Sequence, residues 1–117
     1  MAPDAEEIGS GAILFVEKFQ DCIHFYRTKI GLPVLMEKTG IVQFALGSLY
    51  LQIEDAQAFG HEPTRNIILR KNVASISVIQ NDLKGRGIDL EVHDLDWGEI
   101  GFVYDPGGNK LEYFRKK

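Results

Sequence analysis

The sequence predicts an α+β fold made of two consecutive βαβββ modules, and three observations predict it. A short apolar run is followed by a stretch at helical spacing and then by three strand-like runs. The same order recurs after a connector. Turn residues stand at the borders between the runs.

Ala12-Ile13-Leu14-Phe15-Val16 is short, apolar and bounded by Gly9-Ser10-Gly11, which marks a buried strand. The period then changes: Phe19, Cys22, Ile23, Tyr26 and Ile30 form one helical stripe. Gly31 and Pro33 predict that this helix ends near Lys29. Strands are expected over Val34–Lys38, Ile41–Leu46 and Leu49–Glu54, with Thr39-Gly40 and Gly47-Ser48 as turns. The stretch 55–64 has no period and contains Gly60 and Pro63, so it is the expected connector.

The second module opens with a strand over Arg65–Val73. The segment after it is ambiguous, because Ala74, Ile76 and Val78 alternate while Val73, Ile76, Ile79 and Leu83 recur at helical spacing. A helix is the reading adopted, with Ser75 as N-cap and Gly85 and Gly87 as the stop. Strands over Leu90–Asp94, Glu99–Tyr104 and Lys110–Arg115 close the chain, and Asp105-Pro106-Gly107-Gly108-Asn109 is the turn between the last two. Laid over each other, the halves match Val16 with Val73 and Tyr26 with Leu83. The expected organisation is one domain over 1–117, with module one at about 10–54, the connector at about 55–64 and module two at about 65–117.

The net charge of −4 argues against nucleic acid, whose phosphates need clustered Lys and Arg. The basic clusters Arg70-Lys71 and Arg115-Lys116-Lys117 are small, and the second reads as a solubilising end. A lone Cys22 permits no internal disulfide and suits a reducing, cytoplasmic setting. No apolar run is long enough for a membrane span. Met1–Glu7 lacks the features of a signal peptide and reads as a short frayed arm.

Three local patterns resemble the vicinal-oxygen-chelate superfamily, which contains glyoxalases, bleomycin-resistance proteins and extradiol dioxygenases. Val16, then Phe25-Tyr26-Arg27 and Ile30-Gly31-Leu32, resembles the family's opening signature, although Lys18 stands where an acidic helix cap is usual. Leu83-Lys84-Gly85-Arg86-Gly87-Ile88 is similar to its second helix end. Trp97-Gly98 followed by Asp105-Pro106-Gly107-Gly108-Asn109-Lys110-Leu111-Glu112 is similar to its closing motif. The resemblance implies a curved mixed sheet around a cleft with helices on the convex side. It also implies a homodimer whose clefts are completed by both chains.

In metal-dependent relatives each module supplies ligands from its first and last strands. Carried onto this chain, the first-strand positions are Gly11 and Ile68, which cannot ligate. The last-strand positions are Gln52 and Glu112, which can. A catalytic metal usually takes about three protein ligands, so no metal is the expectation. Zn, Ni, Mn or Fe held by Gln52 and Glu112 is the alternative. His24, His61 and His93 are expected to face solvent, with His93 close to the cleft.

By strand alternation the concave face should carry Ile13, Phe15, Gln43, Tyr50, Gln52, Arg70, Asn72, Lys110, Glu112 and Phe114. Leu14, Val16, Leu49, Leu51, Leu69, Leu111 and Tyr113 should lie under the helices. The candidate ligand-binding residues are Phe15, Tyr50, Gln52, Arg70, Asn72, Trp97, Tyr104, Glu112 and Phe114. Arg70 and Glu112 could pair with each other. Alternatively Arg70 could clamp an anionic ligand, with Glu112 as general base if the protein is an enzyme. Trp97 and Tyr104 are placed near the rim. The expected function is metal-independent binding of a small molecule in a dimer cleft, and mild acidity would suit a basic ligand. The alternatives are a metal-dependent glyoxalase-like lyase or isomerase, a dioxygenase, or a plain interaction domain.

Overall fold

A computed structural model describes residues 6–117. The arm expected over Met1–Glu7 lies mostly outside the described residues.

Module one runs β1 (Gly11–Val16), α1 (Phe19–His24) with a π-helical continuation (Phe25–Ile30), β2 (Val34–Lys38), β3 (Ile41–Leu46) and β4 (Leu49–Asp55). Module two runs β5 (Ile68–Asn72), α2 (Ile76–Lys84), β6 (Glu91–Leu95), β7 (Gly98–Tyr104) and β8 (Lys110–Lys116). Each module forms its own four-stranded mixed sheet, in the orders β1-β4-β3-β2 and β5-β8-β7-β6. The first strand is parallel to the last in each, and the other pairs are antiparallel. The α+β fold of two βαβββ modules expected from the sequence is the one observed. Among the described residues the two sheets share no strand pairing, so β1 and β5 are both edge strands.

Alternation decides which face of each strand is buried. Leu14, Val16, Leu51, Ile53, Val42 and Phe44 sit beneath the helix of module one, and Leu69, Leu111 and Tyr113 beneath α2. These residues belong to one continuous core. Leu49 shares this parity but sits at the end of its hairpin, beyond the helix, and is exposed. Gly101 lies under α2, where a Cβ would stand 2.4 Å from the Leu90 side chain and 3.4 Å from Ile76, so the glycine leaves room for Leu90 to pack there.

The first helix departs from the simple expectation. Its start carries no side-chain cap, because Lys18 offers no acceptor. Its second half widens to π winding, and the N–H groups of Gly31 and Leu32 both bond the Tyr26 carbonyl. The wider turn leaves Phe25, Tyr26 and Ile30 all buried. Gly31 ends the helix in the left-handed region (φ 81°). Arg86, just beyond α2, reaches over that end and donates from Nη1 to the Ile30 carbonyl at 2.6 Å. A Cβ on Gly31 would stand 2.5 Å from that nitrogen. In α2, Ser75 caps as expected, with its Oγ accepting from the Val78 N–H.

The modules meet through their helix-bearing sides. Besides Arg86, the contact is made by the β7–β8 turn. Asp105 is buried, and its Oδ1 accepts from the Gly107 and Asn109 N–H groups. Its Oδ2 accepts from the Tyr26 hydroxyl of module one. Asn109, fully buried, accepts from the Ile67 N–H and donates to the Thr64 carbonyl, tying the connector's end to the same turn. Strand β5 therefore starts later than expected: Asn66 is left-handed (φ 63°), which no strand tolerates, and Ile67 bonds the turn.

Burial first, then the charge of Asp105, pushes the Cys22 thiol up to about 12. Tyr113 is also pushed up to about 12, by burial. These folded values lie above the unfolded ones. Their contribution to stability is complete below the unfolded range, at about pH 9, and is lost as pH rises toward about 12. Cys22 is accordingly expected not to react with Ellman's reagent at pH 8 until urea unfolds the chain. Fast labelling of the native protein would contradict this packing.

Candidate functional site

The faces turned away from the helices are open, and each carries an ordered set of side chains. On module one the register aligns Ile13, Gln52 and Gln43 in one row and Phe15, Glu54 and Ile41 in the next. Gln43 Nε2 donates to Gln52 Oε1 at 3.0 Å, and Gln52 Nε2 donates to Glu54 Oε2 at 2.7 Å. Ionised Glu54 can only accept, so Gln52 must turn its NH2 toward it and leave its oxygen for Gln43. Gly11 sits beside Tyr50, where a Cβ would stand 2.3 Å from the Tyr50 carbonyl oxygen and 2.4 Å from its ring. The tyrosine thus occupies the space a longer side chain on the first strand would need. His61, from the connector, stacks on Phe15 at 3.6 Å between ring centroids.

On module two the rows are Arg70, Glu112, Phe102 and Glu91, flanked by Asn72, Phe114, Ile100 and His93 on one side and Ile68, Lys110 and Tyr104 on the other. Glu112 has a side chain only 8 % exposed, and its Oε1 accepts from Arg70 Nη2 at 3.1 Å. The same guanidinium lies over the Phe114 ring, 4.7 Å from its centroid. Phe114 in turn leans over Gly98, where a Cβ would stand 2.6 Å from the ring. Lys110 Nζ lies over Phe102 at 4.2 Å and near Tyr104 at 5.6 Å. At the sheet's far edge His93 bonds Glu91 at 2.7 Å and is parallel to the Phe102 ring.

The sequence-derived candidates therefore fall into separate groups. Phe15, Tyr50 and Gln52 share the module-one face, while Arg70, Asn72, Glu112, Phe114 and Tyr104 share the module-two face. Among the described residues no hydrogen bond, ion pair or ring contact joins one open face to the other. Trp97 and Tyr104 do not stand together. Trp97 is in the β6–β7 turn and Tyr104 ends β7, so a strand about 20 Å long separates them. His61 and Phe102 were missed. Alternation from Tyr104 would have placed Phe102, but no local signal brings a connector histidine onto Phe15.

The sequence profile of the Glyoxalase/Bleomycin resistance protein/Dioxygenase superfamily matches residues 9–113. The chain belongs to this superfamily. No curated protein sequence matches it. Among solved structures, this superfamily member is similar to a lactoylglutathione lyase from Agrobacterium tumefaciens, with TM-score 0.76, 17 % identity, and 97 % of this chain and 96 % of that chain covered. It is also similar to a glyoxalase/bleomycin resistance protein/dioxygenase from Nocardioides, with TM-score 0.75, 22 % identity, and 96 % and 85 % covered. An antibiotic binding protein from a Streptomyces strain matches with TM-score 0.71, 20 % identity, and 97 % and 98 % covered. At these identities the likeness is one of fold. No helix among the described residues is long and apolar enough to cross a membrane.

Replacing Arg70 with Met leaves Glu112 buried without its cation. The loss of stability should be about 1–2 kcal/mol at pH 7, below the range for a fully buried pair because the half-exposed guanidinium is partly screened. Adding Glu112→Gln should recover most of it, and a double-mutant cycle in urea measures the coupling. Simple additivity of the two changes would show that the pair carries no energy.

Proposed function

We propose that this superfamily member binds a small molecule without a metal, in a cleft formed when two copies pair. The observation that carries this reading is that the would-be ligand side chains already have partners within the chain. Gln52 Oε1 accepts from Gln43, Glu112 is bonded to the Arg70 cation, and Tyr50 fills the space at Gly11. The other first-strand position, Ile68, has no donor atom. Among the described residues no group of three or more His, Cys, Asp or Glu is arranged to hold a metal. A guanidinium beside Glu112 repels a divalent cation and supplies the positive charge such an ion would bring. Zn, Ni, Mn or Fe held by Gln52 and Glu112 therefore does not fit these residues, and no step is assigned to it.

Pairing is supported by the exposed apolar side chains on the open faces of both edge strands, Ile13 at 45 % and Ile68 at 58 %. A second copy would set the module-one face of one chain against the module-two face of the other and cover both. An antibiotic binding protein of the same fold lends support to a binding role. The single buried thiol of Cys22 suits a cytoplasmic setting.

Protein purified without chelators should contain no stoichiometric metal, and Ni, Zn, Mn or Fe should not raise its melting temperature. It should sediment at twice the 13.2 kDa chain mass. A stoichiometric metal, or metal stabilisation abolished by Glu112→Ala, would favour a lyase or dioxygenase instead. A monomer at micromolar concentration would remove the shared cleft.

A further inference from the structure

The overall charge of the chain points to a basic ligand, but the local charge on module two points the other way. Glu112 is paired with the Arg70 guanidinium, and Glu91 lies at the sheet's far edge, hydrogen-bonded to His93. Lys110 has no ion-pair partner among the described residues. Its ammonium lies over Phe102 and near Tyr104, and the Arg70 guanidinium lies over Phe114. The ring faces that would hold a cationic ligand are thus already covered by the protein's own cations. A second cation would meet like charge there.

Next to Lys110 is a cavity of about 210 Å³ lined by Asn66, Ile67, Ile68, Tyr104, Gly108 and Lys110. Its lining is apolar at Ile67 and Ile68 and polar at Asn66, Tyr104 and Lys110. Its wall is held in place: Asn66 is fixed in the left-handed region, and the Ile67 N–H and carbonyl bond Asn109 and the Lys110 N–H. A flat apolar body with one anionic end matches this arrangement. The end would bond Lys110, and the body would lie against Ile68 and the Tyr104 ring.

We propose that the ligand class of this cleft is a small aromatic carboxylate, with Lys110 as the residue that selects the charge. This rests on the binding reading given above and narrows it. The test is calorimetric titration of the full chain with benzoate, the neutral isostere benzamide and the cation benzyltrimethylammonium, at low and high salt. Benzoate should bind at least about tenfold tighter than benzamide, the scale of one charge-assisted hydrogen bond, and salt should erode the difference. Lys110→Gln should remove that advantage, Lys110→Arg should keep most of it, and Lys84→Gln on α2 should change nothing. Unchanged melting of Lys110→Gln checks that its fold is intact. Equal binding of benzoate and benzamide, or an advantage that survives Lys110→Gln, overturns the charge assignment. Preference for the cation overturns it too, while leaving a binding cleft. Binding of no probe overturns this inference alone, and the broader reading is then decided by the metal and mass measurements.

Discussion

The junction between the modules rests on Asp105, a buried carboxylate in the β7–β8 turn whose acceptors are shared between its own loop and the Tyr26 hydroxyl of the other module. An ionised group is taken out of water only where enough donors replace the lost hydration. Here the backbone N–H groups of Gly107 and Asn109 and one phenol supply them. Tyr26 sits in the π-helical stretch, so this bond ties that stretch to the turn. Asn109 extends the tie to the connector, and the start of β5 follows from it. Arg86 makes a second tie by satisfying the end of the first helix from the other module.

This junction has a consequence for function. Joining the modules through their helices turns both open faces outward, so neither face meets the other within one chain. Each face carries its own set of side chains: a row of amides and a carboxylate on module one, and a field of rings and cations on module two. The Arg70–Glu112 pair gives the second half its character. It is a buried acid with an internal counter-ion, and in the proposed reading that fixed cation stands in place of a metal. The chain is acidic overall, yet Lys110 on this face has no ion-pair partner among the described residues. Net charge describes solubility and long-range encounter, whereas a site is described by the charges left unpaired in it.

Much of this was legible in the sequence because strand alternation is local. Tyr50, Gln52 and Glu54 against Leu51 and Ile53, or Glu112 and Phe114 against Leu111 and Tyr113, assign a face without knowing any partner. Ser75, Gly31 and Gly87 likewise act within a few residues. The unforeseen features depend on long-range contacts. The Tyr26–Asp105 bond joins residues far apart in the chain. The late start of β5 depends on Asn109, and the His61 stack on the path of the connector. The residue-level face assignments and the Arg70–Glu112 pair stand in the structure, while their role toward a ligand is a proposal.

Paramagnetic broadening by Mn2+ tests most directly whether a protein cation has taken the place of a metal. Its reporters are the side-chain amide signals of Gln43 and Gln52 and the backbone amide of Glu112. These should broaden no more than amides elsewhere on the surface, because Gln43 and Arg70 already occupy the donors. Selective broadening of Gln52 together with Glu112 would contradict the account, since it would place an ion where the Arg70 guanidinium stands.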